Sequence, residues 1–130
     1  MRLLNLYAIG RGLFGAAALL APGPVGKFLA GDGAAAPDAK AFLRGMGGRE
    51  IGLAVGLLAA ARTGTMAVPW ITAGLLADSG DLTGIAGVWP HMTPAKRRIG
   101  LATAGGAALA GAITLITTLK KSDVQSPAPD

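Results

Sequence analysis

Apolar residues along this chain are gathered into four long segments. They cover about residues 3–21, 41–61, 67–88 and 99–119. Each is close to the ~20 residues that an α-helix needs to cross a bilayer. The pattern therefore predicts an all-α fold, in which residues 1–121 form a single membrane-embedded domain, a bundle of four transmembrane helices.

The connecting segments have the chemistry of turns. Pro22-Gly23-Pro24 ends the first helix, because proline lacks a backbone donor and disfavours helix just before it. Residues 62–65 form a turn so short that the second and third helices are expected to be antiparallel neighbours. Residues 122–130 contain two prolines and are predicted to be a disordered tail.

The composition supports a lipid environment. Charged residues make up only 15% of the chain, against roughly 25% in soluble domains. The net charge of +5 comes from basic residues that separate apolar runs, so we expect the bilayer as partner and no nucleic acid. Two alternatives stay open, a soluble bundle and a cleaved signal peptide at the first segment.

Two tryptophans and the basic residues bear on placement in the membrane. Trp70 and Trp89 are 19 residues apart, which is roughly 28 Å along a helix, and are predicted to mark the two interfaces of the third span. One side of the membrane would carry four basic residues with both termini and the other side five, so the positive-inside rule decides no orientation.

Ionisable residues inside the apolar segments are the candidate site. An isolated charge at the bilayer centre costs at least about 2.5 kcal/mol, so these residues should face the interior and pair. Depth along each helix predicts that Arg49 pairs with Asp81 or Glu50, and that Arg11 approaches Asp78. The candidates, whose formal charges sum to zero, are Arg11, Arg44, Arg49, Glu50, Asp78 and Asp81.

These charges have two interpretations. They could form a structural network that fixes the helix register, or they could line a polar cavity that binds a small ligand, since intramembrane ionisable groups are often functional. The sequence does not choose between these interpretations.

Small residues on the second segment predict close helix packing. Gly48, Gly52 and Gly56 form a doubled small-xxx-small motif, which lets helix backbones approach each other. The stripe is expected to pack within the chain, with a homo-oligomer or a larger membrane complex as the alternative.

Two short motifs carry a resemblance. Gly47, Arg49 and Glu50, within residues 43–56, match the first four positions of a G-x-R-[DE]-x-x-x-G pattern, and the glycines that follow approximate its last position. Asp78 and Asp81 match D-x-x-D. In these motifs the chain resembles an uncharacterised family of small four-helix integral membrane proteins of bacteria, especially actinobacteria. The resemblance implies the topology, paired charges and a bacterial plasma membrane, and it implies no reaction.

The first functional hypothesis is a non-enzymatic structural or accessory membrane protein. The alternative is a small transporter or ligand-binding membrane protein that uses the charged cluster, and a lipid-modifying enzyme is a third hypothesis. The chain has no cysteine and a single histidine, His91, so we expect no catalytic residue, no metal site and no cofactor.

Overall fold

Helices make up nearly all of the computed structural model, which describes residues 2–64 and 66–125 and contains no strand within those ranges. Two 3₁₀ turns, Asp32–Ala35 and Trp89–His91, lie between helices. The α-helices are α1 (Arg2–Leu20), α2 (Pro22–Ala30), α3 (Pro37–Thr63), α4 (Val68–Val88), α5 (Pro94–Gly100) and α6 (Gly106–Gln125).

The helix ends follow local chemistry. Pro37 stands in the first turn of α3, where its missing donor is not needed, and Gly64 ends the helix in the left-handed region at φ 67°. A π-helical segment, Leu101–Gly105, joins α5 to α6, so a helix runs from Pro94 to Gln125.

A helix covers each of the four apolar segments, and two connecting regions differ from expectation. The predicted disordered tail is wrong for residues 122–125, because α6 continues to Gln125, while residues 126–130 lie outside the described part of the chain. The region after the first apolar segment forms a helix of its own, α2, since Pro22 stands at its first position.

Glycines bring α1 and α3 into backbone contact. A Cβ added to Gly47 would lie 2.7 Å from the Gly15 carbonyl oxygen, and one added to Gly15 would lie 2.8 Å from the Gly47 oxygen. Both distances are too short for a methyl group, so each position requires glycine. Gly12, which precedes Gly15 on α1, lies against Ala54, which follows Gly47 on α3, so α1 and α3 run antiparallel.

Two of the three positions of the predicted packing stripe on α3 do not pack within the chain. Gly48 and Gly52 face open space, because the helix turns Gly47 towards α1 instead. Gly56 does pack, and its neighbour is the indole ring of Trp70 on α4. Within the chain, the closest helix contact therefore uses Gly47 rather than Gly48, and packing of the stripe against another copy or a larger complex stays a prediction.

The second helix pair consists of α4 and the helix that begins at Pro94. Gly100 lies against Ile85, and Gly111 lies against Leu75, so these two helices also run antiparallel. A buried apolar cluster connects this pair to α1 and α3, and it consists of Tyr7, Ala8, Leu57, Ala60, Ala67 and Ile71.

The two tryptophans lie at the ends of α4, where the sequence placed them. Trp70 is in the first turn and 42% exposed, although its ring also covers Gly56. Trp89 follows the last residue of α4, and the Arg97 guanidinium stacks over its ring at 5.2 Å. Their role at a membrane interface stays a prediction.

Hydropathy identifies two helices among the described residues that are long and apolar enough to cross a membrane. They are Arg2–Leu20 and Pro94–Lys121, and only 28% and 22% of their apolar windows are buried inside the protein. Helices α3 and α4 fall short of this test because they carry ionisable residues. Hydropathy alone thus gives weak support for membrane association, and it does so through two helices rather than four.

The glycine contact yields a test with a matched control. We expect Gly47→Ala to lower the free energy of unfolding by about 1–3 kcal/mol, because the methyl group would push α1 and α3 apart. The adjacent Gly48→Ala has open space and should leave stability unchanged or raise it slightly. Unfolding of the purified protein in mild detergent measures both, and equal effects would contradict the described helix contact.

Candidate functional site

Arg11 lies at the centre of a buried polar cluster. Arg11 is 5% exposed and lies in the middle of a mostly apolar helix. The Nη1 atom donates to Glu50 Oε2 at 2.5 Å, and Nη2 donates to Asp78 Oδ2 and, at 2.6 Å, to the Tyr7 hydroxyl. One guanidinium thus connects α1 to carboxylates on α3 and α4.

Tyr7 completes this cluster, and the sequence analysis did not identify it. It precedes Arg11 by four residues and therefore shares its helix face. The Arg11 guanidinium carbon lies 4.8 Å from the Tyr7 ring centroid, and the hydroxyl lies 3.5 Å from Asp78 Oδ2. Its spacing from Arg11 was the signal that could have found it.

Glycines make the space that the cluster occupies. A Cβ on Gly74 would lie 2.8 Å from Arg11 Nη2, and a Cβ on Gly111 would lie 2.7 Å from the Tyr7 hydroxyl. The contact between Gly15 and Gly47 lies one helical turn from Arg11 on α1 and one turn from Glu50 on α3. It therefore sets the distance between the Arg11 and Glu50 side chains. Gly74 also precedes Asp78 by four residues, a spacing that marks one helix face.

Arg49 extends the cluster towards the surface. Its Nη2 atom donates to Glu50 Oε1 at 3.0 Å and to Asp81 Oδ2 at 2.9 Å. The Arg49 and Asp81 side chains are 36% and 30% exposed, whereas that of Glu50 is 5% exposed. Glu50 therefore bridges two arginines, with an inner partner on one oxygen and an outer partner on the other.

The expected pairs, Arg11 with Asp78 and Arg49 with Asp81, are both present. The additional pair between Arg11 and Glu50 was not expected, because depth estimates do not show which helices are neighbours. Whether any of these residues binds a ligand stays a prediction.

Arg44 does not belong to the network, which corrects the expected set. The residue is exposed and makes no ion pair within the described part of the chain, because α3 turns it away from α4. The connected charges are consequently two guanidiniums and three carboxylates, a formal sum of −1 rather than zero.

The inner layer of the network consists of the buried charges Arg11, Glu50 and Asp78, and disturbing it should cost stability. Arg11, Glu50 and Asp78 are each at most 5% exposed, so water contributes little to their solvation. A buried charge is tolerated only when partners and hydrogen bonds compensate for the lost water. Arg11 Nε is buried without a hydrogen-bond partner among the described residues, so the compensation is carried by the two Nη atoms.

An open groove lies beside the outer layer, between α3 and α4. Its volume is about 490 Å³. Most of its wall is apolar, and the Arg49–Asp81 pair supplies its polar part. The lining residues are Ala41, Phe42, Gly45, Met46, Arg49 and Asp81. Across residues 2–64 and 66–125, no three histidine, cysteine or carboxylate side chains are grouped so that they could hold a metal ion.

Comparison with known proteins identifies no family model, curated protein or solved structure that matches the chain. The function is therefore argued from the geometry of the charge network and the groove.

The inner layer generates a stability prediction. Removing one partner of a buried ion pair costs about 3–5 kcal/mol, because the other is left uncompensated. Arg11→Met should lower the free energy of unfolding by about this amount, since Asp78 loses its arginine partner and Glu50 keeps only Arg49. Arg44→Met removes the same charge from an exposed position and should change it little. Thermal or denaturant unfolding in detergent provides the comparison.

A triple variant distinguishes the ion pairs from simple packing. Adding Glu50→Gln and Asp78→Asn to Arg11→Met removes the uncompensated carboxylates, so part of the lost stability should return. A triple variant that is less stable than Arg11→Met alone would contradict the compensation described here.

Proposed function

We propose that the chain is a small integral membrane protein in which α1, α3, α4 and the helix Pro94–Lys121 each cross the bilayer as an antiparallel four-helix bundle. The observation that carries the proposal is the distribution of charged and apolar side chains, which is the reverse of that in a soluble protein. Charged groups occupy the interior, with Arg11 5% and Asp78 3% exposed, while leucines face outwards.

The outward leucines favour lipid over water. Leu6, Leu13, Leu20 and Leu76 are 66%, 68%, 81% and 70% exposed. They belong to a set of 18 large apolar residues that have exposed side chains in the part of the chain that the structure describes. Soluble proteins rarely expose contiguous apolar surface on this scale, whereas hydrocarbon solvates it at no cost. The core helix of a soluble protein would be mostly buried. In α1 and in the helix Pro94–Lys121, by contrast, only 28% and 22% of the apolar window is buried.

Helices α3 and α4 fit the same placement although their hydropathy is lower. Glu50 and Asp78 turn inwards to Arg11, and Arg49 pairs with Asp81, so the cost of these four charges in the bilayer is reduced. Arg44 is exposed near the start of α3, where a long side chain can reach the interface. The resemblance to small bacterial membrane proteins supports a bacterial plasma membrane as the location.

Within the membrane, we assign the protein a structural or accessory, non-enzymatic role. In the inner layer, each charged group is hydrogen-bonded to another member of the network. Arg11 holds α1, α3 and α4 together, which supports a register-fixing function. A ligand-binding or transport function is the second candidate, and the half-exposed Asp81 in the groove favours it.

Topology can be tested by cysteine labelling, because the natural chain contains no cysteine. Single variants Ala35→Cys, Met66→Cys and His91→Cys place a thiol in three connecting regions. We expect a membrane-impermeant maleimide to reach positions 35 and 91 from one side and position 66 from the opposite side. Protein that stays in the membrane pellet after alkaline carbonate provides the parallel measurement.

Two results would contradict the four-span arrangement. One is labelling of all three positions from a single side of sealed vesicles, and the other is release of the protein by carbonate. Leu58→Cys, inside α3, serves as the control that should remain unlabelled until the protein is denatured.

A further inference from the structure

The charge network carries more carboxylates than arginines. Arg11 and Arg49 face Glu50, Asp78 and Asp81, and no other cationic side chain contacts these five among the described residues. A cluster with a formal charge of −1 is costly in a weakly polar environment. The arrangement is therefore one positive charge short of balance.

Asp81 is the most accessible carboxylate of the network. Glu50 accepts from both arginines, and Asp78 accepts from Arg11 in the buried layer. Asp81 depends on Arg49 alone, and Arg49 divides its donors between Asp81 and Glu50. With 30% of its side chain exposed, Asp81 is also the carboxylate that lines the groove.

The rest of the groove is suited to an apolar body. Phe42 is 79% exposed at its wall, next to Ala41, Gly45 and Met46. A volume of about 490 Å³ lies within the range of sites for small organic ligands. An aromatic ring also attracts a cation that lies over its face.

We propose that the groove between α3 and α4 binds an organic cation with an apolar body, with Asp81 as its counter-ion and Phe42 and Met46 as its apolar wall. This inference rests on the proposed membrane placement and specifies the ligand of the second candidate function. An anion would have to compete with two carboxylates for Arg49, and a hydrated metal ion would find one carboxylate and an apolar wall.

Two probes of equal shape and opposite charge test the inference. Tetraphenylphosphonium and tetraphenylborate are titrated by calorimetry into the full-length protein in phosphatidylcholine nanodiscs, and the signal of empty nanodiscs is subtracted. We expect saturable binding of the phosphonium and at least about tenfold weaker binding of the borate.

Variants assign the binding to the groove. Asp81→Asn should weaken phosphonium binding by about tenfold or more, and Phe42→Ala by several-fold. Asp38→Asn removes an exposed carboxylate from the same helix outside the groove, and it should leave the affinity unchanged. Phe42 is largely exposed, so its variant remains informative even where Asp81→Asn fails to fold.

Three results would overturn the inference. They are absence of saturable phosphonium binding, equal binding of the two probes, and an affinity that neither Asp81→Asn nor Phe42→Ala alters. Each is obtained on protein whose folding is verified by thermal unfolding and whose topology is tested separately by cysteine labelling. Failure here consequently leaves the four-span proposal intact, whereas carbonate release of the protein would end both.

Discussion

The guanidinium of Arg11 is the group on which the arrangement of helices depends. It leaves α1 in the middle of an apolar segment and reaches Glu50 on α3 and Asp78 on α4. A cation at this depth needs compensation from all sides, and two carboxylates from different helices supply it. The helices can therefore shift relative to one another only by separating buried charges, which makes the network a strong constraint on register.

Glycine makes this constraint geometrically possible. Arg11 and Glu50 meet because Gly15 and Gly47 allow two backbones to touch, and the guanidinium fits because Gly74 has no side chain. In the proposed membrane placement, such close packing is also a main source of helix association. The same residue type thus provides both the contact surface and the cavity for the charges.

Sequence reasoning predicted the parts of this arrangement that depend on position along a single helix. The all-α fold and the helical segments follow from the spacing of apolar residues. The matched depths of Arg11 with Asp78 and of Arg49 with Asp81 also follow from spacing, because a helix has a fixed rise per residue. Rotation of a helix about its axis and the choice of neighbours do not follow from spacing. For that reason Gly48 was chosen over Gly47, Arg44 was included, and the bond between Arg11 and Glu50 was missed.

The two layers of the network differ in what they can do. The inner groups, Arg11, Glu50 and Asp78, are almost entirely buried and are bonded to one another. A substitution among them should therefore lower the stability of the fold. The outer pair, Arg49 and Asp81, is about one-third exposed, and its geometry can change without exposing Arg11. Glu50 joins the layers by giving one oxygen to each arginine. Arg49 is therefore the member of the outer pair that is hydrogen-bonded to the inner groups, and it reaches them through Glu50.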